Sequence, residues 1–169
     1  MPFICKGCHY VQSPPVNLKY ENNGSDYLLV FQAPGFNEWT GGALTISGNR
    51  IPIDSKSTHS CAARMRNSFI RKNVLRYNYD IAEAVCCYPG VLTSGRDKKP
   101  KVKSVNQCTI NMANLLSKKK YTKITCFGDV AYKVVMNAIT MIPGWAGPTP
   151  SYAPHPSSGV SNLVLDASY

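Results

Sequence analysis

Cys5-Lys6-Gly7-Cys8, together with Cys87 and Cys108 far downstream, form a split thiol set of the kind that one metal centre would join. Thiolates are soft ligands that favour zinc or iron-sulfur clusters, and a two-residue gap lets both members of a Cys-x-x-Cys turn reach a single centre. Cys86 adjoins Cys87, but neighbouring strand residues face opposite sides, so only one of the two is expected to reach that centre. Cys5-Lys6-Gly7-Cys8-His9 also spells the covalent haem-attachment pattern. That chemistry belongs to exported proteins, and no apolar export segment is recognisable, so the metal reading is preferred.

Two further groups of residues could do chemistry. Gln32-Ala33-Pro34-Gly35, followed by Glu38 and Thr40-Gly41-Gly42, closes an apolar run, and its plain reading is a structural turn. His155 lies between Pro154 and Pro156 and precedes Ser157. Proline on both sides stiffens the backbone and can hold an imidazole in place.

These residues need elements to position them. The runs 27–33, 81–87 and 123–127 are nearly unbroken apolar stretches ending at Pro34-Gly35, Pro89-Gly90 and Gly128-Asp129, the pattern of strands buried on both faces. Between them, Cys61, Met65 and Phe69 recur at helical spacing within 59–76, and Val105, Cys108, Met112, Leu115 and Leu116 recur after the basic loop. After the third run Asp129 is expected to cap a helix with Val130, Val134 and Ala138 inward. Strand and helix alternate, which predicts a parallel α/β sheet covered by helices, with ligands beyond the carboxyl ends of the strands. The stretch 141–158 is proline-rich and is expected to be irregular. Cys61 and Cys126 fall on core-facing stripes and read as small buried hydrophobes.

At 169 residues the chain has the size of one domain, 1–169, with a core that needs no disulfides. No apolar run is long enough to span a bilayer, so neither a membrane nor a secreted location is expected. In a reducing cytoplasm, the seven cysteines read as metal-binding or buried. The net charge of +10 points to a polyanion, DNA first, against the plain alternative that charge serves only solubility. Clustering favours the polyanion. Arg96, Lys98, Lys99, Lys101 and Lys103 share one loop, Lys118, Lys119, Lys120 and Lys123 another, and Arg64, Arg66, Arg71, Lys72 and Arg76 lie along one predicted helix.

In this order the motifs resemble the uracil-DNA glycosylase superfamily. Phe31-Gln32-Ala33-Pro34-Gly35 with Glu38 and Thr40-Gly41 is similar to its first motif, Val85-Cys86-Cys87-Tyr88-Pro89-Gly90 to the end of its second strand, and Phe127-Gly128-Asp129 to the end of its third. His155-Pro156-Ser157 matches its His-Pro-Ser motif. Cys5, Cys8, Cys87 and Cys108 follow the order of the ligands in its iron-sulfur branch, family 4.

The resemblance implies a three-layer α/β/α sandwich around a central, mostly parallel four-stranded sheet, and a 4Fe-4S cluster, with zinc as the alternative. It also implies hydrolysis of the N-glycosidic bond of a base flipped out of DNA. His155 would hydrogen-bond the departing base, and Glu38 would orient water or stabilise the sugar cation. Backbone amides near Ala33 to Gly35, with Pro34 and the neighbouring Gln32, would hold the base, and Ser157 would press on the DNA backbone. The chain departs from the family at three base-site positions. Gln32 follows Phe31 where the family has Gly-Glu, Leu44 stands for a stacking Phe, and Glu83 for a base-reading Asn. These departures define a second expectation, a nucleic-acid-binding or partner-binding module that keeps fold and cluster without the reaction.

Overall fold

The structure, a computed structural model, describes residues 20–35, 61–156 and 159–169. Its centre is the sheet expected from the apolar runs. β1 (Tyr20–Glu21), β2 (Tyr27–Phe31), β3 (Asp80–Glu83), β4 (Lys123–Phe127) and β5 (Ser151–Ala153) lie in the order β1-β3-β2-β4-β5. β3, β2, β4 and β5 are mutually parallel, and the two-residue β1 adds an antiparallel edge beside β3. The sheet therefore has five strands, and the expected four are its parallel part.

Among the described residues four helices cover it: α1 (Cys61–Lys72), α2 (Val102–Leu116), α3 (Asp129–Thr140) and α4 (Asn162–Ala167). Alternation along the strands sends successive side chains to opposite faces. Leu28, Val30, Ala82, Ile124 and Cys126 pack with Val105, Cys108 and Met112 of α2 and with Val134, Val135 and Ala138 of α3. Leu29, Phe31, Ile81, Phe127 and Ala153 face the other way, onto Met65 and Phe69 of α1, Leu165 of α4, and Tyr79 and Tyr169. Helices on both faces of one sheet make the three-layer α/β/α arrangement. Each fully buried Leu, Ile, Val or Phe on these faces contributes roughly 1.5–3 kcal/mol. No helix among the described residues is long and apolar enough to cross a membrane.

Three local expectations change. The run 81–87 is strand only to Glu83; beyond it, Ala84 N–H donates to Phe31 O (2.7 Å) and Val85 N–H to Gln32 O (3.0 Å), turning the still-buried chain across the end of β2. The proline-rich stretch 141–158 is not wholly irregular, because it holds β5. An edge strand tolerates flanking prolines, since only one side of it must offer ladder hydrogen bonds. Gly128, not Asp129, is the N-cap of α3; Asp129 lies in the first turn, where its negative charge adds to burial in raising the pKa of the Tyr152 hydroxyl. The buried face of α3 is accordingly Ala131, Val134, Val135 and Ala138, with Val130 packing at its margin.

The amino end of the sheet is locked by a network that alternation of apolar residues does not reveal. The Asp80 carboxylate, fully buried, accepts from Lys119 Nζ (2.6 Å), the Tyr20 hydroxyl (2.6 Å), the Tyr121 hydroxyl (2.9 Å), and the N–H groups of Asn23 (2.9 Å) and Ser25 (3.1 Å). Burial alone would raise its pKa, but the hydrogen bonds from Lys119, Tyr20, Asn23 and Tyr121 outweigh burial and hold it below the usual carboxylate value. The same surroundings, burial first, raise both tyrosine hydroxyls.

Candidate active site at the carboxyl ends of the strands

The chain leaves β2 for β3 on one side, then crosses to β4 on the other, so the strand order reverses around β2. In open α/β sheets the crevice at such a reversal, beyond the carboxyl ends, is where ligands bind. Its floor is the last row of the sheet. Phe31 pairs in register with Glu83 and Phe127 with Ala153, while the Phe31 and Phe127 rings stack in parallel with centroids 4.7 Å apart. This aromatic floor was not expected from the sequence. Its signal was two phenylalanines closing adjacent strands.

Gln32, Ala33, Pro34 and Gly35 rise directly from Phe31, and Gln32 O is held by Val85 N–H. Glu83 ends β3 at 2 % exposure, on the α1 and α4 face by alternation from Ile81. Between β4 and β5, Gly128 N–H donates to Ala153 O at 2.8 Å. Gly128 adopts φ 88 and ψ 166, a conformation essentially confined to glycine. A Cβ there would lie 3.1 Å from His155 Cβ and 3.4 Å from its Cδ2. The imidazole thus lies against a bare backbone at the start of α3, and burial pushes its pKa below the usual histidine value. At neutral pH it is an uncharged ring that can donate one hydrogen bond and accept another.

Gln32, Ala33, Pro34, Gly35, Glu83 and His155 therefore all occupy the carboxyl end of the sheet. Glu38, Leu44 and Ser157 lie outside the described residues. So do Cys5 and Cys8 of the expected metal set. Its other two members, Cys87 and Cys108, are buried at 3 % and 5 % exposure, after β3 and within α2. Cys86 packs in the same apolar cluster as Cys108, whereas Cys87 belongs to neither cluster of the described core; both cysteines follow the end of β3, so strand alternation does not decide between them. Among the described residues no group of three or more His, Cys, Asp or Glu side chains could hold a metal ion. Cys126 is fully buried and its thiol is pushed up to about 12 by burial, which suits an inert core residue; Cys61 is only half-buried.

The basic clusters separate into two kinds. Arg71 forms a two-pronged pair with Asp166 (2.6 and 2.8 Å), Arg76 pairs with Glu21, and Lys119 pairs with Asp80. Arg64 donates to the carbonyls of Pro156 and Val160. Lys72 donates to Tyr169 O and lies 3.6 Å from that ring's centroid, and Lys123 lies 4.5 Å from the Tyr27 ring centroid. Most of the 64–76 cluster, whose helix ends at Lys72 so that Arg76 lies past it, and half of the 118–123 cluster, is thus engaged within the fold, because carboxylates, carbonyls and rings from distant segments reach these cations. Arg96, Lys98, Lys99, Lys101 and Lys103 are instead exposed beside the strand ends. Of these, Arg96, Lys98, Lys99 and Lys103 enter no ion pair among the described residues.

No protein-family model matches the chain, and no curated protein shows significant similarity to it.

Proposed function

We propose that the chain is a DNA-binding, glycosylase-like protein of the cytoplasm that hydrolyses the N-glycosidic bond of uracil or a modified base flipped out of DNA. The observation that carries this reading is the seating of His155 on Gly128, at the same sheet end as Gln32, Ala33, Pro34, Gly35 and Glu83. Exposed cations at that end supply the charge a phosphate backbone requires.

Cleavage moves the glycosidic electron pair onto the base and leaves positive charge on the sugar, which water then captures with loss of a proton. His155, uncharged, donates a hydrogen bond to the oxygen where negative charge gathers, an electrostatic role that needs no proton transfer. Glu38 orients the water or stabilises the sugar cation, and Ser157 bears on the DNA backbone. Cys5, Cys8, Cys87 and Cys108 would hold a 4Fe-4S cluster, or zinc, as a structural clamp on the N-terminal segment, the end of β3 and α2.

The test is incubation of the pure protein with duplexes carrying uracil and a panel of modified bases, followed by alkali to reveal base loss. Cleavage at one member, abolished by His155→Ala, is expected. No alkali-labile site on any substrate, from protein with its metal intact, overturns the enzymatic reading.

The second reading, a binding module without the reaction, is favoured by one observation. Glu83 is a buried carboxyl group, and a carboxylate only accepts hydrogen bonds, whereas an amide also donates. Under this reading DNA affinity persists, and remains salt-sensitive, in both His155→Ala and Glu38→Ala.

A further inference from the structure

The exposed cations are carried on a defined object. Immediately after Cys87 and the buried turn, residues 90–98 form a short hairpin. Lys98 N–H donates to Gly90 O (2.8 Å), Leu92 N–H to Arg96 O (2.7 Å) and Gly95 N–H to Leu92 O (2.9 Å), with an isolated bridge between Val91 and Asp97. Gly95, at φ 78, sits in the tight turn at its tip, and Gly90, at φ 93, opens it at the base. Burial, together with the nearby Asp97 carboxylate, pushes the pKa of the Tyr88 hydroxyl at the base of the hairpin up to about 12.

Val91 and Leu92 stand out on this hairpin at 50 % and 46 % exposure. Single exposed aliphatic residues are ordinary. Val91 pairs with Asp97, so alternation sets Leu92 on the opposite face with Arg96 and Lys98, an apolar side chain among cations, with Lys99, Lys101 and Lys103 following in the chain. The surrounding charge selects a polyanion, and the apolar side chain can meet only the non-phosphate parts of it.

We propose that this hairpin is a duplex-reading ribbon that enters a DNA groove beside the strand-end site, with Leu92 against base edges and the flanking cations on phosphates. The proposal rests on the DNA-binding reading above. Two strands about 4.8 Å apart, with their side chains, suit a major groove about 12 Å wide, which admits a two-stranded ribbon. Aliphatic contact there reads the thymine methyl group. Single strands are instead gripped by stacking bases on aromatic rings, and residues 90–99 contain none. The ribbon therefore distinguishes double from single strands.

The experiment measures fluorescence anisotropy of the full chain with a 20-mer duplex and with each of its separate strands, over a series of salt concentrations. Wild type is expected to bind the duplex roughly tenfold more tightly, a difference of about 1.4 kcal/mol. Leu92→Ser should remove most of that preference while leaving the salt slope unchanged. Lys98→Gln combined with Lys99→Gln should weaken both forms and lower the duplex slope by about 0.9 per lost phosphate contact. These positions are exposed, and an unchanged melting temperature verifies the fold. Equal affinity for duplex and single strands, retention of the preference in the serine variant, or equally tight binding to polyglutamate overturns the ribbon. Failure to bind DNA in either form overturns the DNA-binding reading as well, which distinguishes the two outcomes.

Discussion

Replacing Gly128 by alanine tests the strand-end site through a single methyl group. The residue sits at φ 88 and ψ 166, where a side chain costs about 1–3 kcal/mol in backbone strain. The new Cβ would also meet His155 Cβ at 3.1 Å, tighter than ordinary van der Waals contact, so the imidazole must shift by a few tenths of an ångström or more. For a chain of this length each kcal/mol corresponds to about 2–4 °C in melting temperature, so a cost of about 2 kcal/mol predicts a fall of about 4–8 °C. Calorimetry measures that fall, and NMR titration of the imidazole measures displacement of the ring as a move of its pKa back towards the ordinary histidine value. Gly95→Ala is the control: at φ 78 with no atom within 4 Å of the new Cβ, it carries backbone strain without the contact and should leave the His155 titration unmoved. A Gly128→Ala protein that melts within about 1 °C of wild type, with the same His155 titration, would refute the reasoning, because neither the strain nor the ring contact would then exist.

The remaining predictions concern charge. Asp80→Ala should cost about 3–5 kcal/mol, measured by denaturant unfolding, because it strands Lys119, two tyrosine hydroxyls and two backbone N–H groups. Since the folded-state pKa of Asp80 is depressed, its contribution is present above the unfolded carboxyl value of about 3.9 and is lost as pH falls through the lower folded value; Asp80→Asn should flatten that acid limb. His155 also has a depressed pKa, so its neutral form is favoured in the folded state. Its contribution is held above about pH 6.5 and is lost as pH falls from there through the folded value, and NMR should place its titration below 6.5. Arg71→Gln should weaken the packing of α4 and lower the melting temperature while leaving the salt slope of DNA binding unchanged, since its guanidinium is occupied by Asp166.

The elements whose apolar runs were longest were the most legible in the sequence. β4 coincides with the run 123–127, and β2 with all but the end of 27–33, because central parallel strands must be apolar on both faces. β1 and β5 were not legible, since two- and three-residue edge strands carry no periodicity and β5 sits among prolines. The placement of Pro34-Gly35 and Gly128 at strand ends was legible because it depends on local chain chemistry, and His155 lies beside Gly128. The Phe31–Phe127 stack required knowing which strands adjoin. The fate of the cations was the least legible. Arg71 and Asp166, or Lys119 and Asp80, are distant in sequence, and a basic residue on a helix reads the same whether its partner is a phosphate or a carboxylate folded back from another element.

Arg64 links α1 to the carbonyls of Pro156 and Val160, 92 and 96 residues later in the chain. Closing loops of that length is slow relative to forming local helices, because the entropic cost is met before the contact can reward it. The segment bearing His155 is thus fastened only after β4, α3 and β5 have been laid down. Interactions that form this late mainly slow unfolding and contribute little to the folding rate. Loss of the Arg64 brace should therefore shorten the lifetime of the assembled strand-end site, with refolding speed nearly unchanged.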